Sequence, residues 1–320
     1  MTDSEPAAAG RQRDRDVEAV GETARRVVES VEDVIVGHPG VIEHILTAMF
    51  AGGHVLLEDV PGVGKTMLSR SIAASFDSSF KRVQFTPDLL PADVTGASVY
   101  NQQTQAFEFR PGPIFANVVL GDEINRAPPK TQSALLEAME EGQVTADGET
   151  HAVPQPFTVI ATQNTVERDR TYDLPMAELD RFTKKLELGY PDEAEESAML
   201  EQVVGDHPIE DLEPVATLED LERAREVTAN VTVEKPVRDY ITRLSRYTRE
   251  HADLGASPRA SLLLLRAAQG RAVLEGRDYV IPDDVQTEIE VVFPHRIKTG
   301  FEDTGSTVLL EETLDAVAVE

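Results

Sequence analysis

Between Asp14 and Val34, apolar residues recur three and four positions apart, at Val17, Val20, Ala24, Val27, Val28 and Val31. That spacing is the period of one helical face. Gly37 and Pro39 break the pattern, and a second apolar helix follows in "GVIEHILTAMFAGG", closed by paired glycines. The period then changes. Short apolar runs, "HVLLE", "RVQF", "NVVLGD", "FTVIATQN" and "KKLELGY", are separated by helical or loop stretches, which predicts a parallel sheet wrapped by helices. After "GYPDEAEES" the strand signals stop. Helical patterns over residues 192–204, 217–229, 235–251, 259–275 and 282–292 predict a small helical bundle, with the boundary near Pro191. The expected organisation is a disordered tail over 1–12, an α/β domain over 13–190, an all-α domain over 191–300 and a weakly specified tail over 301–320.

Composition narrows the chemistry. The 320 residues include no cysteine, which removes disulfides, thiolate metal sites and thiol nucleophiles together. Thirty Lys and Arg stand against 58 Asp and Glu, a net charge of −28, with the acids spread along the chain and lysine sparse beside arginine. This resembles the composition of proteins from salt-loving organisms, where concentrated salt screens self-repulsion. The same charge argues against contact with a phosphate backbone, so no nucleic-acid partner is expected. No apolar run reaches the ~20 residues of a membrane span, and the start of the chain has no apolar signal core, so a cytoplasmic location is expected.

The stretch "HVLLEDVPGVGKTMLSR" carries the first chemical signal. After a strand comes Asp59-Val60-Pro61-Gly62-Val63-Gly64-Lys65-Thr66, then the amphipathic start of a helix at Met67. It matches a phosphate-binding loop except that Asp59 stands where the first glycine is expected. Gly62 and Gly64 fall where backbone N–H groups turn inward around phosphate oxygens. Lys65 is placed to reach the β- and γ-phosphates, Thr66 to ligate Mg²⁺, and the helix N-terminus to add its partial positive charge. Asp59 lies at the strand exit, where an aspartate caps a turn, so the substitution is expected to be tolerated.

Other residues join it. "ANVVLGDEINRAP" is a buried strand ending in Asp122 and Glu123 at the carboxyl edge of the sheet, where ligands bind in open α/β folds. Asp122 is the expected Mg²⁺ ligand and Glu123 the general base for water. "FTVIATQN" ends in Asn164, an amide able to orient water or touch the γ-phosphate. "MAELDRF" puts Arg181 beside the last strand, a candidate arginine finger acting across a subunit boundary. "GASPRASLLLLRAA" sets Arg259 in the first turn of a helix, where the dipole disfavours it.

Taken together, "QFTPDLLPADVTG", "FEFRPGPIFAN", "DEINRAPPKTQSALLEAMEEGQVT" and "LDRF" give the chain, from about Val28 to Ile297, a resemblance to AAA+ ATPases of the MoxR family. The resemblance implies that Lys65 and Thr66 belong to Walker A, Asp122 and Glu123 to Walker B, Asn164 to sensor 1, Arg181 to the finger and Arg259 to sensor 2. It puts Val36 and Gly37 beside adenine and Pro61, Val63 and Met67 around the nucleotide. It makes the C-terminal bundle a lid, and the 86–115 segment an insertion within the second helix. It further implies ATP and Mg²⁺ as cofactors, a homo-oligomer built as a hexameric ring, a partner with a von Willebrand factor A domain, and chaperone-like remodelling of a client protein. After sensor 1, "TVERDRTYDLP" is more charged than the family's usual run, which makes Arg168 and Arg170 alternative fingers. Two further readings stay open: a slow nucleotide-gated switch that recruits a partner, and a chelatase-like or nucleic-acid motor subunit.

Overall fold

In the computed structural model, residues 4–164, 172–202, 208–210, 212–300 and 305–319 are described. Helices α1 (Ser4–Glu32) and α2 (Pro39–Phe50) precede strand β1 (Val55–Asp59). Next come α3 (Lys65–Ser75), β2 (Phe80–Gln84), the short α4 (Pro91–Thr95) and an antiparallel hairpin of β3 (Gly96–Asn101) and β4 (Ala106–Pro111). They are followed by β5 (Val118–Asp122), α5 (Pro129–Glu141), a second hairpin of β6 (Gln143–Ala146) and β7 (Glu149–Ala152), then β8 (Thr158–Asn164), α6 (Met176–Leu179) and β9 (Lys184–Leu186). Among the described residues six α-helices follow: α7 (Glu193–Gln202), α8 (Leu218–Ala229), α9 (Lys235–His251), α10 (Pro258–Leu274), α11 (Pro282–Val292) and α12 (Gly305–Ala316).

Strands β2, β5, β8, β1 and β9 lie side by side in that order, all parallel. β5 and β8 are buried along their whole length, which is why apolar residues fill successive positions in both, as in Val118–Leu120 and Val159–Ala161, rather than alternating with exposed polar ones. The five expected strands, and the five helices expected after Pro191, all form. The 86–115 segment contains the β3–β4 hairpin after α4, and Asp147 and Gly148 take positive φ at the tip of β6–β7, the mirror-image turn their pairing favours. The two hairpins are tied together: Ser98 N–H donates to Asp147 Oδ2 at 2.7 Å, and the Phe109 ring stacks on His151.

Two helices fall within the stretches expected as tails. Helix α1 begins at Ser4, since the alanines at 7–9 favour continuing the helix toward the N-terminus. Helix α12 occupies 305–316 and buries Leu309, Leu310 and Thr313, with its apolar positions at helical spacing.

One apolar cluster runs from α1 and α2 through one face of the sheet into α8–α11. Gly270 allows a close approach beside it: a β-carbon there would come within 2.7 Å of the Thr47 carbonyl, so α10 lies directly against α2. A second cluster, including Phe85, Ile124, Leu135 and Phe182, fills the other face of the sheet.

Buried charges join β9 to the helical part. Lys184, fully buried, meets Glu288 Oε2 at 2.5 Å. Arg271 Nε lies 3.0 Å from Glu288 Oε1, and its Nη1 lies 2.7 Å from Glu43. Burial alone would raise the Glu288 carboxyl, but Lys184, His44 and Arg271 override it and hold it at about 2. The unfolded carboxyl titrates near 4.5, so between the two values the unfolded chain binds more protons. The contribution of this cluster is therefore complete above pH 4.5 and drains away as pH falls toward 2. Glu288→Gln strands Lys184 and should cost about 3–5 kcal/mol. Urea unfolding in molar potassium chloride should show that loss at pH 7, with a smaller difference from wild type as pH falls below 4.5. An unchanged midpoint at pH 7 would mean that the pair is not structural.

Candidate nucleotide site

The parallel register sets the site. Asp59 and Asn164 are paired at the ends of β1 and β8, and Gln84 and Asp122 at the ends of β2 and β5, so four polar residues leave the sheet at one edge. There the chain turns from β1 into α3 through Gly62 and Gly64, with φ of 91° and 93°. A β-carbon at either glycine would meet nothing within 4 Å, so the hollow they face is open. Gly64 is the N-cap of α3 and has no side chain to take the first N–H groups of the helix, which leaves them for an anion.

Asp59 does more than cap. Its Oδ1 accepts from Val60 N–H at 2.7 Å, and its Oδ2 accepts from Leu188 and Gly189 N–H at 2.7 and 2.8 Å. It fastens the entry of the loop to the chain leaving β9. Lys65 Nζ donates to the carbonyls of Asp59 and Val60 at 2.9 and 3.0 Å, across the mouth of the same turn. Burial lowers its pKa, opposed by Asp59, Asp122 and Glu123.

The Asp122 and Glu123 carboxylates are held by Asn164 and by residues that the sequence alone did not single out. Thr162 Oγ1 donates to Asp122 Oδ1 at 2.7 Å and accepts from Glu123 N–H at 2.9 Å. Arg82 reaches Asp122 Oδ2 through Nε at 3.1 Å and Nη2 at 2.5 Å. Glu123 has φ 56°, a left-handed conformation that aims its side chain off the strand. Its carboxylate accepts from Asn164 Nδ2 at 2.6 Å on one oxygen, and from Gln84 Nε2 and Arg126 Nη1, both at 2.7 Å, on the other.

These groups line a cavity of about 420 Å³. Of the expected residues, Pro61, Gly62, Gly64, Lys65, Thr66, Met67, Asp122, Glu123 and Asn164 border it, joined by Arg70 and Arg82. Val63 packs against the apolar cluster beneath the loop. Val36 and Gly37 do not border the cavity; Gly37, with φ 77°, abuts Glu195 in the first turn of α7.

Arg181 and Arg259 are not among the residues bordering the cavity. They meet each other's partner instead: Arg181 Nη1 lies 2.5 Å from Glu140 Oε2, and Arg259 Nη1 lies 3.0 Å from Glu140 Oε1. Both arginines are partly exposed, at 29% and 43% of the side chain. Arg168 and Arg170 lie outside the described residues.

A phosphate loop, two carboxylates and a polar amide at one edge of a parallel sheet, followed by a helical domain, define a nucleotide-binding ATPase fold of the AAA+ type. Residues 54–184 match the ATPase family associated with various cellular activities (AAA), and residues 245–314 match the AAA lid domain. The chain is 51% identical over 300 residues to the uncharacterized protein YeaC of Bacillus subtilis, covering 92% of this chain and 94% of that protein. It is 39% identical over 312 residues to chaperone MoxR1 of Mycobacterium tuberculosis, covering 93% and 82%, and 31% identical to protein MoxR of Methylorubrum extorquens, covering 86% and 88%. The crystal structure of a candidate ATPase from Cytophaga hutchinsonii superposes with a TM-score of 0.89 at 34% identity, over 98% of this chain and 99% of that one. The chain belongs to the MoxR family of AAA+ ATPases.

Gly64→Ala separates folding from binding. The open space means that the only structural cost is the left-handed backbone, about 1–2 kcal/mol. The added methyl projects into the phosphate hollow, so affinity for a fluorescent ATP analogue should fall more than ~10-fold. Wild-type affinity in a folded Gly64→Ala protein would show that phosphate binds elsewhere.

Proposed function

We propose that this chain is a Mg²⁺-dependent ATPase that works as a ring, probing or remodelling a protein client. The observation that carries the reading is the gathering of Lys65, Thr66, Asp122, Glu123 and Asn164 around one cavity while Arg181 and Arg259 stand outside it. The open glycine cradle and the uncapped start of α3 suit a triphosphate. Thr66 and Asp122 would hold Mg²⁺. Among the described residues no three His, Asp or Glu gather to bind a metal by themselves, which suits an ion whose other ligands are phosphate oxygens and water. When bound, Mg²⁺ supplies charge neutralisation at the β- and γ-phosphates.

Glu123 polarises the attacking water as general base, and Asn164, which donates to it, orients that water. Val36 and Gly37, which lie outside this cavity, would meet adenine only where the base extends beyond it. Lys65 must turn from its loop carbonyls to the phosphates, and Arg82 must release Asp122 Oδ2 if that oxygen is to serve the metal. Arg181, as finger, and Arg259, as sensor 2, act on the nucleotide of the neighbouring subunit. A hexameric ring, a von Willebrand factor A domain partner and a cytoplasmic setting rest on the family, and the chaperone role on the name of the mycobacterial relative. Among the described residues no helix is long and apolar enough to cross a membrane. The net charge of −28 speaks against a nucleic-acid motor. One observation favours a slow, switch-like turnover: Glu123 accepts from three side chains at once, which stabilise its ionised form and weaken it as a base.

Glu123→Gln should keep ATP binding and lower hydrolysis by ~10²–10⁴. Turnover per chain, measured against protein concentration in molar potassium chloride with Mg²⁺, should climb for wild type and stay flat for Arg181→Ala, with a difference of ~10³ at saturation. Flat, equal curves would make each subunit self-contained and Arg181 structural.

A further inference from the structure

The turn 294–296, which follows α11, contributes a guanidinium that is almost wholly enclosed, with 2% of the Arg296 side chain exposed. Besides the Val292 carbonyl, its donors reach three residues that flank Arg181. Nε donates to Asp180 Oδ1 at 2.7 Å, Nη2 to the Asp180 carbonyl at 3.1 Å and to the Phe182 carbonyl, and Nη1 to the Thr183 carbonyl at 3.3 Å. The neighbouring His295 Nε2 lies 3.1 Å from the same Phe182 carbonyl. Burial pulls the Arg296 pKa down to about 10, so the group remains charged at neutral pH.

The backbone on both sides of Arg181 is thus gripped by the lid, whereas the Arg181 side chain leaves in another direction, to Glu140 and the Leu136 carbonyl on α5. One position later than Thr183, Lys184 is locked to Glu288 of α11. Residues 180–184 are therefore a seam sewn to the lid along its length. Arg259, on α10 of the same lid, meets Glu140 beside Arg181 and approaches Asp180 Oδ2 at 3.8 Å.

We infer that Arg296, through its fork on Asp180 and the 182–183 carbonyls, is a positioning residue that sets Arg181 for the neighbouring subunit's nucleotide, so that each lid governs a site other than its own. A guanidinium suits the task because its rigid planar fork fixes several carbonyls at once, which an ammonium does not. The inference rests on the proposed sharing of sites between subunits.

Mixing of variants tests it. Arg296→Gln keeps its own Walker residues, and Glu123→Gln keeps its own finger. Each homogeneous protein should turn over at least tenfold more slowly than wild type, with the affinity of Arg296→Gln for a fluorescent ATP analogue unchanged. In an equimolar mixture, about a quarter of the head-to-tail interfaces pair a sound Walker site with a sound finger, and turnover should return to about that share of wild type. Asp180→Asn, which keeps the shape and removes the charge, should behave in the same way and stands in if Arg296→Gln fails to fold. Arg181→Ala mixed with Glu123→Gln is the reference. Recovery there, without recovery for either Arg296→Gln or Asp180→Asn, would overturn the positioning role and leave shared sites intact. Recovery in none of the mixtures would remove shared sites and the inference with them.

Discussion

The active edge of this protein depends on the hydrogen-bonded register of parallel strands. Because β1 and β8 are paired residue for residue from Val55 and Ile160 to Asp59 and Asn164, and β2 and β5 from Phe80 and Val118 to Gln84 and Asp122, their last residues emerge together. A shift of one residue in either pair would send these side chains to the opposite face of the sheet. The buried apolar runs upstream prevent that shift, since every alternative register would put polar strand ends into the core. Asp59 extends the constraint to β9 by binding the Leu188 and Gly189 amides, so the phosphate loop starts from a point fixed on two strands.

The seams between the α/β part and the helices are closed with arginine. Arg225 of α8 donates to the carbonyls of Met49 and Phe157, Arg271 of α10 joins Glu43 to Glu288, and Arg296 grips residues 180–183. Each guanidinium has enough donors to satisfy several acceptors where water is excluded. This gives a local meaning to a composition in which lysine is sparse. A cation that must be buried against backbone carbonyls works better as a planar fork than as a compact, strongly hydrated ammonium, and Lys184 is tolerated because Glu288 lies against it.

Much of this was readable from residue order, and the exceptions have physical reasons. Buried strands and two-sided helices have strong periods, which is why the sheet and helices α8–α11 fall where the sequence puts them. The phosphate loop and the Asp122–Glu123 pair are contiguous, so their chemistry shows in a line of text. The β3–β4 hairpin is less legible because Tyr100 and Phe107 meet edge to face on an exposed surface, so its apolar residues do not mark a buried face. Arg82 and Gln84 are ordinary surface-strand residues until the pairing of β2 with β5 sets them against Asp122 and Glu123. The meeting of Arg181 and Arg259 on Glu140 depends on how α10 packs, over a separation of 119 residues between Glu140 and Arg259.

The apolar cluster shared by α1, α2 and the lid also bears on how the chain reaches its final form. Helix α1 is made before the elements it packs against, α8 and α10, and its Asp16 meets Arg223 across 207 positions of sequence. Val20, Ala24, Val27 and Val31 thus have no complete cover until most of the polypeptide has been made. Contacts of such long range close late and slowly, and an apolar stripe left waiting invites association with other chains. Helix α1 is thus among the last of the described elements to be housed.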